Sequence, residues 1–285
     1  MRINKTILTL LVGLGLLAAV PACRSGVEVR QVFDIEAFAD GHPMQAFAIR
    51  ADTVFVLYDG GLCRTWSLRD RNPAGEYFLE SAHATLHCGN ADFAPDGLLY
   101  VSGDLTTRAC YVESVSATGS ALVQTITFDL DNGFGGSQVV LDRERGRMVY
   151  MQRELRNIAA TDNVFHIYEF GIPDTAAGDV TLTLDDALAH YTLDRYEPIY
   201  QGASIRGGML LLGHGICPDE DGHKVGLAAY SIPDGRFLGE TDLTPLISLE
   251  PQAVHLYKGR LYVNFNGRGL CEVSTKELSL KKKQK

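Results

Sequence analysis

Short runs of alternating hydrophobic and polar residues fill most of this chain, and they come in pairs separated by tight turns. Five segments repeat one pattern. In each segment an amide residue comes just before a short strand, which is followed by a turn rich in Gly, Asp or Arg and by a second strand. The segments read MQAFAIRADTVFVLYDGG, GNADFAPDGLLYVSGD, SQVVLDRERGRMVYMQ, YQGASIRGGMLLLGHG and PQAVHLYKGRLYVNFNG. Their leading amides are Gln45, Asn90, Gln138, Gln201 and Gln252.

The spacing of these amides indicates a propeller. Successive intervals are 45, 48, 63 and 51 residues, in or near the period of a four-stranded blade, with loop insertions in the longer repeats. Third strands such as LCRTWSL follow each hairpin, and fourth strands such as EYFLES and VTLTL follow in four repeats. The fifth repeat lacks a fourth strand, whereas Gly26–Ile35 is strand-like and has no hairpin of its own. We predict an all-β fold, a five-bladed β-propeller closed by this N-terminal strand, which removes two open sheet edges.

A six-bladed ring is the alternative, and it would need one more hairpin. The stretch left for that hairpin is DDALAHYTLDRY, Asp185–Tyr196. We interpret it as a polar loop or single helical turns. A chain of 285 residues that is 46% hydrophobic has enough apolar material for one large all-β domain.

Residues 1–22 have the pattern of an export signal. Arg2 and Lys5 form a basic start, and Ile7–Val20 is an apolar stretch too short for a spanning helix. The net charge of the chain is −9, and its one basic run is KKKQK at the C-terminus. Because nucleic-acid binding needs clustered Lys and Arg, we exclude a nucleic-acid partner.

The sequence AAVPAC follows the apolar stretch and resembles the lipobox of bacterial lipoproteins. In that family a cysteine after small residues is lipidated and becomes the new N-terminus, which here implies Cys23. Pro21 departs from the pattern, and cleavage after Ala22 by an ordinary signal peptidase is the alternative. We expect residues 23–285 to form a single β-propeller domain with a short basic tail. No Asp directly follows Cys23 to signal inner-membrane retention, so we predict an outer-membrane lipoprotein facing the periplasm, with the cell surface as the alternative.

The first strand of each propeller blade lines the central channel. The five amides are therefore predicted near the channel mouth, on the face that carries the loops between second and third strands. We favour a structural role, with each carboxamide bonding a neighbouring blade or water, because the residue type repeats in every blade. The alternative is a ring of donors and acceptors aimed at a ligand.

Asymmetry appears in the loops on the same face, and loops on a rigid scaffold commonly carry function. The two longest are QRELRNIAATDN in blade three and GHGICPDEDGHK in blade four. We expect a binding site around these loops and across the channel mouth. Its candidate residues are Tyr58, Asp104, Arg153, His214, Asp219, His223, Asn266 and Arg268.

Metal-binding patterns in the chain are incomplete. HGICPDEDGH contains several possible ligands but no CxxC or HExxH spacing. DLDNG lacks the later glutamate of a calcium loop. We interpret both as solvated turns, and we predict no metal and no cofactor.

Catalysis is the less favoured hypothesis. Five-bladed glycosidases of the arabinanase kind hold carboxylates at the channel mouth, since glycoside cleavage needs a general acid opposite a base or nucleophile. Here the corresponding positions are amides, which do not exchange protons, and no G-x-S-x-G motif is present. We predict no catalytic residue. Nearby Asp59, Asp92, Asp104 and Glu154 keep a carbohydrate-active hydrolase as the alternative.

Five cysteines follow Cys23, and an odd number in an exported chain leaves at least one thiol free. They are Cys63, Cys88, Cys110, Cys217 and Cys271. Packing as small hydrophobic residues is at least as well supported as disulfide formation. If one bridge forms, we expect it between Cys63 and Cys88.

The complete pattern resembles the secreted lipoprotein propellers of bacterial envelopes, TolB-like in outline. The resemblance covers most of the chain after the signal and rests on the repeats and the lipobox. It implies an envelope binding role, with an envelope protein or glycan as partner, and no specific ligand. We predict a lipid-anchored binding or scaffold protein without catalysis.

Overall fold

The structure is a computed structural model that describes residues 26–103, 108–130, 132, 134–154, 164–195, 200–215 and 224–275. These ranges contain β-strands and three short 3₁₀ turns, and no helix in them has the length and apolar character needed to cross a membrane. The strands are β1 (Val27–Phe33), β2 (Phe38–Ala39), β3 (His42–Arg50), β4 (Thr53–Tyr58), β5 (Leu62–Ser67), β6 (Pro73–Phe78), β7 (Ala91–Phe93), β8 (Leu99–Ser102), β9 (Ala109–Val115), β10 (Ser120–Asp129), β11 (Gly135–Asp142), β12 (Arg147–Glu154), β13 (Val164–Gly171), β14 (Val180–Thr183), β15 (Ala189–Thr192), β16 (Tyr200–Arg206), β17 (Met209–His214), β18 (Gly226–Ser231), β19 (Phe237–Asp242), β20 (Pro251–Tyr257), β21 (Arg260–Phe265) and β22 (Gly269–Thr275).

The strands form five sheets arranged as the blades of a propeller, which confirms the predicted fold. Blade one is β2-β3-β4-β5-β6, blade two β7-β8-β9-β10-β14, blade three β11-β12-β13-β15, blade four β16-β17-β18-β19 and blade five β20-β21-β22-β1. The inner strands β3, β7, β11, β16 and β20 contact one another around a closed ring. We call the end at which the inner strands begin the loop face, and the end that carries the hairpins after them the turn face.

The N-terminal strand closes the ring, as predicted. β1 pairs antiparallel with β22, from Val27 opposite Thr275 to Phe33 opposite Leu270, and becomes the outer strand of blade five. Val32 and Phe33 are buried between blades five and one. Because both ends of the described chain share one sheet, the first and last blades are joined without an open edge.

The outer strand of blade three is not the one expected. The segment VTLTL forms β14, which leaves blade three and pairs in parallel with β10 of blade two, Ile126 opposite Val180. The outer strand of blade three is β15, inside the stretch that we predicted to be a loop. Gln124 is the physical reason, because its fully buried side chain donates to the carbonyl oxygens of Asp174 and Gly178. These bonds draw the segment across to blade two.

Apolar side chains fill the spaces between adjacent blades in five clusters. Four cysteines in the described ranges are buried free thiols: Cys63, Cys88, Cys110 and Cys271. Cys63 and Cys88, the pair expected if one bridge formed, are not bridged and pack as free thiols between blades one and two. Burial raises the pKa of Cys63 to about 12, so this thiol stays protonated and behaves as a small apolar group.

Candidate functional site

β-bulges lie where the amide residues begin the inner strands. Gln45 and Gln252 are the extra residues of bulges in blades one and five. In blade four the extra residue is Gly202, next to Gln201, and in blade three the register shifts just before Gln138. A bulge bends its strand and changes the direction of nearby side chains. We call the five amides at this end of the channel the amide collar: Gln45, Asn90, Gln138, Gln201 and Gln252.

Asn90 ties three blades together. Its Nδ2 donates to the carbonyl oxygen of Val139 on β11 at 2.8 Å, and its Oδ1 accepts from the N–H of Ala203 on β16 at 3.1 Å. The side chain is buried, so both backbone groups depend on it rather than on solvent. This amide has the structural role that we expected for the whole collar.

The other collar amides have different partners. Gln201 donates from Nε2 to Oε1 of Glu250 at 2.8 Å. The side-chain oxygens of Gln138 and Gln252 are buried and accept no hydrogen bond from any described residue. Only 7% of Gln252 is exposed, and a buried carbonyl without a donor is unfavourable. The collar therefore contains two buried acceptors without a donor among the described residues.

Asp59 and His87 form a polar pair beside Gln45. Asp59 begins the short turn Asp59–Gly61 between β4 and β5. One of its carboxylate oxygens accepts from Nε2 of Gln45 at 3.3 Å, and the other lies 2.9 Å from Nδ1 of His87. The His87 side chain is 37% exposed. An imidazole oriented by a carboxylate through one nitrogen presents the other for proton transfer.

Further from the collar, Asp92 and His255 are buried in the wall of the channel. Asp92 pairs with Arg143 and accepts from the N–H of Leu141 at 3.2 Å. Burial raises the pKa of Asp92 to about 6, although Arg143 opposes the shift. His255 accepts from the N–H of Ile49 at 3.4 Å. Burial, helped by the charge of Arg143, lowers the pKa of His255 to about 3, so this imidazole is neutral and structural.

A second imidazole cluster lies on blade three. Nδ1 of His166 is 3.2 Å from Nε2 of His190, and Nε2 of His166 is 3.5 Å from Glu154. The rings of Phe134 and Tyr168 stack on His166 and His190 at centroid distances of 4.6 Å and 4.3 Å. Burial, with a smaller effect of His166, lowers the pKa of His190. Across the described ranges, no three His, Cys, Asp or Glu residues are arranged to hold a metal ion.

Two predicted binding residues are buried instead of exposed on the loop face. Tyr58 is fully buried and donates from its hydroxyl to the carbonyl oxygen of Glu36 at 3.3 Å. His214 is 2% exposed, and its Nε2 lies 3.2 Å from Glu240 within blade four. Burial lowers the pKa of His214, and the charge of Glu240 acts in the opposite direction.

Of the remaining predicted site residues, three lie within the described ranges and four lie outside them. Arg153 is half-buried and, because neighbouring residues of a strand point to opposite faces, lies on the side of β12 away from Glu154. Asn266 and Arg268 occupy the turn between β21 and β22, where the N–H of Asn266 donates to the carbonyl oxygen of Glu250 at 2.8 Å. The structure thus brings Asn266 close to the collar. Asp104, Asp219, His223 and Cys23 lie outside the described residues.

Sequence reasoning missed His87 and Glu250. Both lie in connections between blades. His87 precedes Asn90 by three residues, and Glu250 precedes Gln252 by two. A polar residue just before an inner strand lies at the loop face for the same reason as the amide itself. That position was the signal available in the sequence.

Comparison with known proteins identifies the fold and no family. No protein-family profile and no curated protein sequence matches the chain. The glutaminyl cyclase of Myxococcus xanthus has a similar structure, with a TM-score of 0.56 and 13% identity over 87% of this chain and 95% of that one. The virginiamycin B lyase of Staphylococcus aureus matches at a TM-score of 0.42 and 11% identity, over 87% and 98% of the two chains. At 13% identity, the similarity to the glutaminyl cyclase shows the fold alone.

Proposed function

We propose that this protein is a lipid-anchored binding protein of the cell envelope that takes its ligand at the amide collar. The observation behind this proposal is the pair of buried side-chain oxygens on Gln138 and Gln252 that accept no hydrogen bond from described residues. Asp59 and Glu250 add carboxylates beside the collar. A mouth rich in acceptors favours a ligand with O–H or N–H donors, such as a sugar or amino sugar.

The envelope location rests on the sequence. AAVPAC after the apolar stretch supports lipidation of Cys23, and the residue directly after it is Arg24 and not the Asp that would retain the protein at the inner membrane. An outer-membrane lipoprotein facing the periplasm, TolB-like in outline, is therefore our proposal. Its partner is an envelope glycan, with an envelope protein as the alternative.

The binding proposal is tested with the chain from residue 23 carrying Cys23→Ser, so that no lipid complicates the measurement. Glucosamine, N-acetylglucosamine, glucose and short chitooligosaccharides are titrated calorimetrically. Gln138→Met and Gln252→Met nearly conserve volume but remove the acceptor, and each should weaken binding about tenfold. Arg236→Gln, which changes an exposed residue of the turn face, is the control. Unchanged affinity in both glutamine variants contradicts a collar site, and a loss confined to Arg153→Ala moves the site to the blade-three loop.

The Asp59–His87 pair favours a second candidate function, a carbohydrate-active hydrolase with His87 as the general acid–base group. Its carboxylate-oriented imidazole supplies one of the two groups that glycoside cleavage requires. Release of reducing sugar from chitooligosaccharides measures this activity. His87→Gln should abolish turnover while leaving calorimetric binding intact. Binding without turnover in the unsubstituted chain excludes this candidate for those substrates.

A further inference from the structure

A basic groove lies on the turn face between blades five and one, on the side of the molecule away from the collar. Its volume is about 400 Å³. Five cationic side chains and two carboxylates line it, although the chain as a whole has a net charge of −9. The cations are Arg30, Arg69, Arg71, Lys258 and Arg260, and the carboxylates are Asp52 and Glu272.

The carboxylates neutralise only part of this charge. Lys258 is paired with Asp52, with Nζ and Oδ1 2.8 Å apart. Glu272 is shared between Arg30 and Arg260, which are both more than half exposed. Two cations on one carboxylate leave an excess positive charge at this end of the groove.

The other end of the groove holds cations that are not ion-paired with any described residue, although the charge of Arg69 helps to lower the pKa of Asp52. Arg69 and Arg71 are exposed and form no ion pair within the described part of the chain. Asp70, the acidic residue between them, accepts a hydrogen bond from the hydroxyl of Ser67 at 2.9 Å. Guanidinium groups with free N–H donors match phosphate oxygens in geometry and charge.

Tight turns fix the shape of the groove. Asp52 and Lys258 lie in two-residue hairpin loops with φ of 63° and 47°, and Arg71 has φ of 58° in the turn before β6. Hairpin loops of this length favour positive φ because their twist matches that of the strands. The backbone at these three groove residues is therefore fixed before any ligand arrives.

We propose that this groove binds the phosphate groups of anionic phospholipid headgroups. Its charge is complementary to them, and β1 enters the propeller at the turn face with Val27. Three residues separate Cys23 from Val27, and four Cα–Cα steps reach at most about 14 Å. A lipid on Cys23 would hold the groove close to the membrane surface. This last step rests on the proposed anchor, whereas the charge argument does not.

Sedimentation with vesicles tests the proposal, using the chain from residue 23 with Cys23→Ser. Vesicles of phosphatidylcholine alone are compared with vesicles that also contain phosphatidylglycerol, at low and at physiological salt. We expect binding to the anionic vesicles only. Arg69→Gln with Arg71→Gln should weaken it about 30-fold, since each basic residue near an anionic surface contributes about fivefold. The control, Lys224→Gln with Arg108→Gln, changes the net charge equally at loop-face positions outside the groove.

Three outcomes overturn the proposal: no preference for anionic vesicles, equal binding by the double arginine variant, or an equal loss in the control. Calorimetric titration with glycerol 3-phosphate separates the two sources of phosphate. Arginine-dependent binding of this soluble ester without vesicle binding assigns the groove to a free phosphorylated ligand instead. Because the protein carries no lipid and the probes are not sugars, failure here leaves the collar proposal standing.

Discussion

A carboxamide can hold backbone groups or orient a carboxylate, and at the residue scale its neighbours decide between the two. Asn90 bonds to the backbones of blades three and four, whereas Gln45 and Gln201 each contact a carboxylate. Equivalent positions in the repeat therefore have different hydrogen-bonding roles. Substitutions at these positions should separate stability from binding.

Asn90→Ala should lower the free energy of unfolding by about 2–4 kcal/mol, because it leaves two buried backbone groups unpaired. Gln201→Ala is the matched control and should cost less than about 1 kcal/mol, since its partner Glu250 is only half-buried. Urea denaturation measures both. Equal losses of unfolding free energy in the two variants would contradict the structural role of Asn90.

His255 should make stability depend on pH. Its pKa is lowered from 6.5 to about 3 in the folded chain, so between these values the unfolded chain binds a proton that the folded chain does not. The free energy of unfolding therefore falls as pH drops through this window. From pH 7 to pH 5, the unsubstituted chain should lose about 1–2 kcal/mol more than His255→Gln. Urea midpoints at both pH values test this.

The raised pKa of Asp92 has the opposite effect. Between 3.8 and about 6 the folded chain binds more protons than the unfolded chain at this residue, so its contribution falls as pH rises. Both proteins in the comparison contain Asp92, which lies 3.9 Å from His255, so the difference between them reports His255 together with its effect on Asp92. Parallel stability curves would contradict the assignment.

At the scale of elements, side-chain hydrogen bonds and backbone pairing between strands decide which sheet a strand joins. β14 lies beside β10, and the preceding connection is held to blade two by the side chain of Gln124. The N–H of Thr125 also donates to the carboxylate of Asp179 at 2.7 Å. A few polar contacts thus hold β14, which follows the third strand of blade three in the chain, against blade two.

Gln124→Ala should loosen this exchange, because the carbonyl oxygens of Asp174 and Gly178 lose their donor. We expect faster amide hydrogen exchange and proteolysis in residues 174–183, with β12 unchanged. Thr125→Ala keeps the backbone bond to Asp179 and serves as the control. Protection in Gln124→Ala equal to that of the unsubstituted chain would show that β14 docks by its apolar residues alone.

β1 should be required for a closed ring. Removing residues 26–35 exposes the edge of β22 and uncovers Leu270, Cys271 and Val273, which are now buried. We expect a lower melting temperature and aggregation, reversed by adding a peptide of residues 26–35. Removal of Lys281–Lys285 is the control. A shortened chain as soluble and as heat-resistant as the parent contradicts the role of β1.

At the scale of the whole molecule, acceptors gather on the loop face and cations gather in a groove on the turn face. β1 begins on the turn face, so an anchor at Cys23 would leave the collar directed away from the membrane. Cys23→Ser should release the protein from the membrane fraction of cells, and the unsubstituted protein should incorporate labelled fatty acid. Membrane association of the variant without label in the parent would exclude the anchor.

The sequence by itself determined the fold of this protein. Repeated hairpins have a local signature, since alternating residues and turn residues act over a few positions. The missing fourth strand of the fifth repeat and the spare strand at the N-terminus were both visible in the chain. The amide positions followed from the same repeat.

Only the tertiary structure decided which side chains meet. Asn90 bonds to Ala203, and His87 to Asp59, across separations of 113 and 28 residues. The exchange of β14 and the joining of Arg30 to Arg69 and Lys258 in one groove depend on equally distant segments. Hydrogen bonds and charge pairs act over a few ångströms, and a pattern read along the chain can pair whole strands but does not specify which distant side chains come that close.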